Sequence, residues 1–492
     1  MKTKFFATLA AGCLLAGAAA AVHAADDASA LLRRAELAMG GAGLQSLRFN
    51  ASGTGSTFGQ AFKPGFSWPM LGYSAFARTY DYGNAAMREE FARSRAEPTG
   101  GGAIPLMGMG AQRATFFLRG DTAWNQTGPN AFGPAWVAVG GRIHDLWTSP
   151  HGVLKAALRN QATVSFKSEK GRSLAAVSFT EPGRFKATAY INADYLVERV
   201  ESVHPHAVLG DVALTTRYSD YRDHGGVKFP DRMIQTHGST VVLDVVTGGV
   251  QVNAPAGIEV PASVQGAVER VTAEKVADGV WFLGGGSHNS VAIEMKDHMI
   301  LVEAPLFDGR TNAVIEEVKK LGGGKPLRYV VNSHHHFDHA GGLRAAAAAG
   351  ATVVVAQESK ALFEKAFANP NRIRPDSLAT SKRRAKVMAF NAAGKTSGSL
   401  GDASRPVEVH AIQGSVHATG FNMVWLPRER LLIQADAYTP MPPNAPAPTP
   451  PNGNNVNLAE NIDRMGWKVD RLLPLHGRVV PLAELHRTIG RK

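Results

Sequence analysis

Hydrophobic and polar positions along the chain follow two rhythms, and the change between them divides the sequence. Leucine and alanine at helical spacing (Leu31, Leu32, Ala35, Ala38) predict one amphipathic helix over 28–39. From Ser46 to about Asn253 period-two alternation takes over, as in 162–167 (ATVSFK) and 186–191 (KATAYI), and runs of this kind separated by turn residues predict an antiparallel sheet. The segment 168–172 (SEKGR) reads as a hairpin loop, and the glycine pair within 218–230 as a turn entering another strand. The alternation lapses over 254–261, where Pro255, Gly257 and Pro261 crowd together, and a domain boundary is expected there. Beyond it, strands are expected at 280–283, 291–294 and 299–303, a helix at 311–321 and a buried strand at 327–332. Strands and helices then alternate to the end, which predicts an α/β sandwich. The expected fold class is therefore α+β overall: a β-rich domain with an N-terminal helix over 25–255, then an αβ/βα sandwich over 262–492.

Length and composition agree with two soluble units. A chain of 492 residues exceeds one ordinary core, and 44% hydrophobic residues with 19% charged ones exclude a disordered chain. Residues 1–24 carry two lysines, an apolar stretch from Phe5, and Val22-His23-Ala24 as a small-residue cleavage site, the pattern of a secretory signal. The mature protein is then expected to begin near Ala25 and to reside in the periplasm. Cys13 lies inside that leader, so the mature chain would hold no thiol. Ala10-Ala11-Gly12-Cys13 faintly resembles a lipoprotein signal, which leaves a lipid-anchored form as an alternative. No later segment offers the roughly 20 continuous apolar residues of a membrane span. The net charge is +12, yet apart from Lys382-Arg383-Arg384-Ala385-Lys386 the basic residues are dispersed. No nucleic-acid partner is expected, and attraction to anionic small-molecule substrates or to a membrane surface is the milder inference. The sequence leaves the oligomeric state open.

The chemistry gathers in the C-terminal half. The run Ser333-His334-His335-His336-Phe337-Asp338-His339 follows an expected strand and precedes Ala340-Gly341-Gly342 and an alanine-rich helix. On extended backbone alternate residues project to the same side, so His334 and His336 can share one metal while Asp338 and His339 turn toward a second. Further along stand His417 in a glycine-flanked loop (414–420), Asp436 at the end of an apolar run, and His476 in a strand ending His-Gly. Between Ala437 and Asn455 seven prolines predict a stiff, extended segment, read either as a wall of the pocket with Tyr438 as an aromatic contact or as an exposed connector. The turn 284–290 (GGGSHNS) is either a loop facing the substrate or a plain hairpin. His288, His298, His335, His410 and His486 are read as ordinary surface or core histidines.

HxHxDH followed by Gly-Gly resembles the signature of the metallo-β-lactamase superfamily, and the region from about Val271 onward is similar to that family. The resemblance implies His334, His336 and His417 on one metal and Asp338, His339 and His476 on the other. Asp436 would bridge both, as in the glyoxalase II and lactonase branches, although an Ala-Asp pair also occurs in relatives that do not use the aspartate. Two zinc ions are the implied cofactor, with iron or manganese able to occupy related sites. A water shared by two cations falls from a pKa near 15.7 to about 7, and Asp338, the expected catalytic residue, would orient it and take its proton. The implied activity is hydrolysis of an ester, lactone, thioester or amide, β-lactams included. Two alternatives remain: a mononuclear iron oxygenase similar to the persulfide dioxygenases, or a carrier of lipid or another apolar ligand. The second follows from the first half, which weakly resembles the periplasmic lipoprotein-carrier fold and equally fits an unrelated β-rich accessory domain.

Overall fold

The computed structural model describes residues 28–97, 101–102, 110–390 and 400–491, so the expected secretory signal and Cys13 lie outside the described residues. Alternating residues over 46–252 build one antiparallel sheet of thirteen strands. Its two halves are meanders, and the first strand, Ser46–Ser56, closes them by pairing with the last, Thr240–Val252. Lys170 and Gly171 form the expected hairpin turn, both with positive φ (50° and 76°), between Thr163–Glu169 and Arg172–Glu181.

One face of this sheet covers three helices. Residues 28–38 are helical and bury Leu32 and Ala35, which pack among Phe49, Val177 and Phe229 of the sheet. The other two, Val139–Trp147 and Pro150–Arg159, connect the two meanders and were not expected from the alternation. A start signal is nonetheless present: Ser149 Oγ accepts from Gly152 N at 3.2 Å, and Pro150 takes the first helical position, where its missing N–H costs nothing. Both helices are short, and the Gly140-Gly141 pair weakens the helical pattern of the first.

No helix or strand occurs over 253–271. From Thr272 onward two sheets pack face to face. The seven-stranded one runs antiparallel through Thr272–Ala277, Val280–Gly284, Ser290–Glu294 and Met299–Val302, then parallel through Leu327–Val331, Thr352–Ala356 and Lys386–Phe390. The five-stranded one contains Asn422–Leu426, Leu431–Gln434 and Arg471–Pro474. Val291, Ile300 and Val331 meet Val424, Ile433 and Leu473 in the core between them. Helices Asp308–Leu321 and Leu343–Ala348 cover the outer side of the first sheet, and Gly453–Met465 and Leu482–Thr488 that of the second. The α+β reading thus holds, with the αβ/βα sandwich in the C-terminal part.

The two parts touch through polar as well as apolar contacts. Asn369 Nδ2 donates to the carbonyls of Leu209 (2.8 Å) and Asp211 (2.9 Å), and a Cβ on Gly210 would strike the Asn369 carbonyl. Arg310, fully buried, holds the turn near the site: its guanidinium donates to Glu269 (2.8 Å), the Arg270 carbonyl (2.7 Å) and the Gly284 carbonyl (2.9 Å). Arg310→Met leaves the Glu269 carboxylate and two carbonyls unpaired, and should lower stability to urea by about 3–5 kcal/mol. An unchanged midpoint would show that water replaces the guanidinium without loss.

Candidate metal centre

The histidine run sits where the parallel strand Leu327–Val331 ends. His334 and His336 lie on extended backbone, and the chain then enters the one-turn helix Phe337–Ala340, with His336 at its N-cap (φ −62°, ψ 144°). That change of direction carries Asp338 and His339 away from the face used by His334 and His336. The following Gly341 and Gly342 are required by close packing: a Cβ would lie 1.8 Å from the Leu306 carbonyl or 1.7 Å from Thr311 Oγ1. The other members arrive on loops after strands of the second sheet, His417 after Glu408–Ala411, Asp436 after Leu431–Gln434 and His476 after Arg471–Pro474.

All seven residues expected at the site come together, in two groups whose ligand atoms lie within 4.8 Å of one another. One group is His334, His336, His417 and Asp436; the other is Asp338, His339, His476 and, in addition, His288. Asp436 faces both. Its Oδ2 stands 2.8 Å from His417 Nε2 and 3.5 Å from His334 Nε2, and its Oδ1 stands 2.8 Å from His476 Nε2 and 3.1 Å from His339 Nε2. Within each group imidazole nitrogens confront one another, His334 Nε2 at 2.8 Å from His336 Nδ1 and His339 Nε2 at 3.2 Å from His476 Nε2. Convergent lone pairs of nitrogen and carboxylate donors, without thiolate, suit borderline divalent cations such as zinc, so the residues present fit a metal.

The ring orientations are fixed from behind. Ser333 Oγ is 3.0 Å from His334 Nδ1, Glu303 Oε2 is 2.9 Å from His339 Nδ1, and the Ser287 carbonyl is 3.1 Å from His476 Nδ1. Each contact occupies one ring nitrogen and turns the other toward the centre, the usual arrangement behind metal-ligating imidazoles. Burial holds His334 and His336 well below the usual histidine range, so both rings stay neutral with a lone pair to give. Burial raises Asp338, but the charge of His339 and the hydrogen bond from His288 outweigh it and keep the carboxyl ionised.

Two residues escaped the sequence reading, and one of its two alternatives for Tyr438 falls away, whereas His335 is the ordinary core histidine expected. Glu303, fully buried with φ +74°, accepts from Asn332 Nδ2 (3.0 Å), from Ser333 Oγ and from His339. In the sequence it is only the polar end of an apolar strand. His288, expected to be an ordinary histidine, lies with its Nε2 3.2 Å from Asp338 Oδ2, and the glycine-rich turn around it was the available signal. His335 points away from both groups: its Nε2 donates to the Ala61 carbonyl (2.9 Å). Tyr438 does not wall the pocket. It is fully buried, its hydroxyl 3.3 Å from Thr488 Oγ1 and its backbone bonded to the Gln434 amide, because a large ring gains most by joining the core of the second sheet.

These placements separate adjacent histidines by role. His336→Ala should strip metal from the purified protein, read as metal content after dialysis, whereas His335→Ala should retain it; the reverse would mean that the donor set is wrongly drawn.

Comparison with known proteins agrees with this geometry. The family model described as the metallo-beta-lactamase superfamily matches residues 283–471, which include every proposed ligand except His476. None of the curated proteins matches the chain. Similar solved structures include a metallo-beta-lactamase from Pontibacter korlensis, 17% identical, covering 45% of this chain and 98% of that one with a TM-score of 0.34. Others are a metallo beta lactamase from Erythrobacter litoralis with beta mercaptoethanol in its active site (18% identical, 46% and 96% covered, TM-score 0.35) and one from Hirschia baltica (18%, 45% and 98%, TM-score 0.33). Residues 283–471 of this chain thus match the metallo-beta-lactamase superfamily, whose members are metallohydrolases, and the two donor groups of the site agree with that match.

Proposed function

We propose that the protein is a binuclear zinc hydrolase acting on an ester, lactone, thioester or amide, with β-lactams as one case. The observation that carries this reading is the position of Asp436, whose two oxygens face the two donor groups separately. Three imidazoles on one side and two imidazoles with a carboxylate on the other supply enough donors for two cations that share it. Zinc bound there would lower the pKa of a water toward about 7 and polarise the substrate carbonyl.

The chain's own residues fix direction and proton handling. The side chains of His334, His336 and His339 are sealed from solvent, whereas those of Asp338 and His476 are 34% and 21% exposed. Substrate therefore reaches the centre from the side of Asp338, His288 and His476. Asp338, turned toward that opening beside His288, is placed to accept the proton of the attacking water and pass it to the leaving group. His288, with Ser287 Oγ 2.9 Å from its Nδ1, orients that carboxylate from the outer edge. No serine or thiol nucleophile is called for. Export to the periplasm belongs to the same proposal and rests on the leader-like pattern of residues 1–24.

The test is a hydrolysis screen of the zinc-loaded protein across β-lactams, acyl lactones, thioesters and simple amides. We expect turnover in at least one class, abolished by chelation and restored by zinc, and a fall in kcat of about 100-fold or more in Asp338→Asn. One iron per chain with oxygen uptake and no hydrolysis would overturn the proposal.

A further inference from the structure

The β-rich N-terminal part reaches the metal centre with one loop. Between the strands Ser46–Ser56 and Met70–Asp81, residues 57–69 leave the large sheet and lie against the histidine run. Gln60 Nε2 donates to Asp338 Oδ1 at 2.8 Å. The Ala61 carbonyl accepts from His336 Nε2 at 2.9 Å and from His335 Nε2 at 2.9 Å. Backbone contacts lock the loop in place: Phe337 N donates to the Gly59 carbonyl (3.3 Å) and Thr419 N to the Phe62 carbonyl (2.8 Å). Phe58 wedges edge-on against Phe337, their ring centroids 5.2 Å apart. The fit is tight, since a Cβ on Gly59 would lie 2.3 Å from the Phe337 ring and one on Gly102 2.6 Å from His336 Cε1.

We infer that this loop is a working part of the metal centre, in which Gln60 and the Ala61 carbonyl orient one ligand of each donor group. The inference rests on the reading of those groups as a two-metal site. Its physical content lies in which atom each ligand is left free to offer. His336 must donate through Nε2 to Ala61, so its lone pair is on Nδ1, the atom 2.8 Å from His334 Nε2. Asp338 has one oxygen occupied by Gln60 and the other, Oδ2, directed toward His288 and His339. Gln60 thereby makes Asp338 a one-oxygen ligand with a fixed rotamer. Ser333, Glu303 and Ser287 do the same for His334, His339 and His476 from within the sandwich. For His336 and Asp338 the partners come from this loop of the N-terminal part, more than 270 residues away in sequence. Gln60 is thus a positioning residue, and the N-terminal part is required for full metal affinity.

Gln60→Met keeps the length of the side chain and removes the donor, and it is tested in the full-length protein. Stepwise zinc binding is followed by competition with a chromophoric chelator, cobalt binding by the visible spectrum, and folding by the melting curve of the metal-free protein. Loss of an outer partner of this kind commonly costs 10–100-fold in metal affinity. We expect that loss in one of two zinc equivalents, a changed cobalt spectrum for the same equivalent, and an unaltered melting curve. Equal zinc affinities and cobalt spectra in wild type and variant overturn the inference alone. A lowered metal-free melting temperature with unchanged affinity also overturns it, by showing that Gln60 only packs. A wild-type chain that binds no metal overturns both the inference and the reading of the site.

Discussion

A cluster of buried imidazoles facing two carboxylates depends on its rings being told which nitrogen to present. Desolvated donors that point at one another repel, and a ring free to flip would satisfy itself with a neighbour instead of a cation. Here four of the five ligand rings, those of His334, His339, His476 and His336, receive that instruction from polar atoms behind them: Ser333, Glu303, the Ser287 carbonyl and the Ala61 carbonyl. Much else in the molecule can be understood as the scaffolding for those atoms. Glu303 accepts a left-handed backbone conformation at the end of its strand and, fully buried, bonds Asn332, Ser333 and His339 at once. Arg310 gives up solvent entirely to tie the Gly284 turn down, and that turn carries Ser287 and His288.

The two sheets of the sandwich divide the work. The seven-stranded sheet delivers the histidine run from the end of a parallel strand, and the five-stranded sheet delivers His417, Asp436 and His476 from three loops at its edge facing that run. Asp436 is where the two contributions meet, because each of its oxygens serves one donor group. The loop 57–69 of the N-terminal part covers His336 and binds one oxygen of Asp338, whose side chain stays 34% exposed, so the same loop bears on the proposed direction of approach. Burial and access are two consequences of the same loop.

The candidate donors, which the structure brings together, were legible in the sequence because metal ligation demands particular side chains at spacings that backbone geometry enforces. The alternation over 46–253 likewise reveals a sheet, since period two survives in strands that bury one face. What stayed hidden depends on distant contacts. His288 and Glu303 are single polar residues in apolar surroundings, and only the packing of strands decides that they face the centre. Gln60 lies in a loop with no periodicity, and its meaning comes from a bond to Asp338 across 278 positions. The helices Val139–Trp147 and Pro150–Arg159 are too short for a strong periodic signal, and Tyr438 was drawn into a core that the proline-rich run around it does not suggest.

On the proposed reading, Asp436 stands between two cations whose ligands are oriented from both parts of the chain. Anomalous X-ray diffraction at the zinc edge, from crystals of the full-length protein grown with zinc, tests it most directly. Two peaks flanking Asp436 are expected, one against His334 Nε2, His336 Nδ1 and His417 Nε2, the other against Asp338 Oδ2, His339 Nε2 and His476 Nε2, with Gln60 still bonded to Asp338 Oδ1. A single peak, or zinc bound away from Asp436, would contradict it.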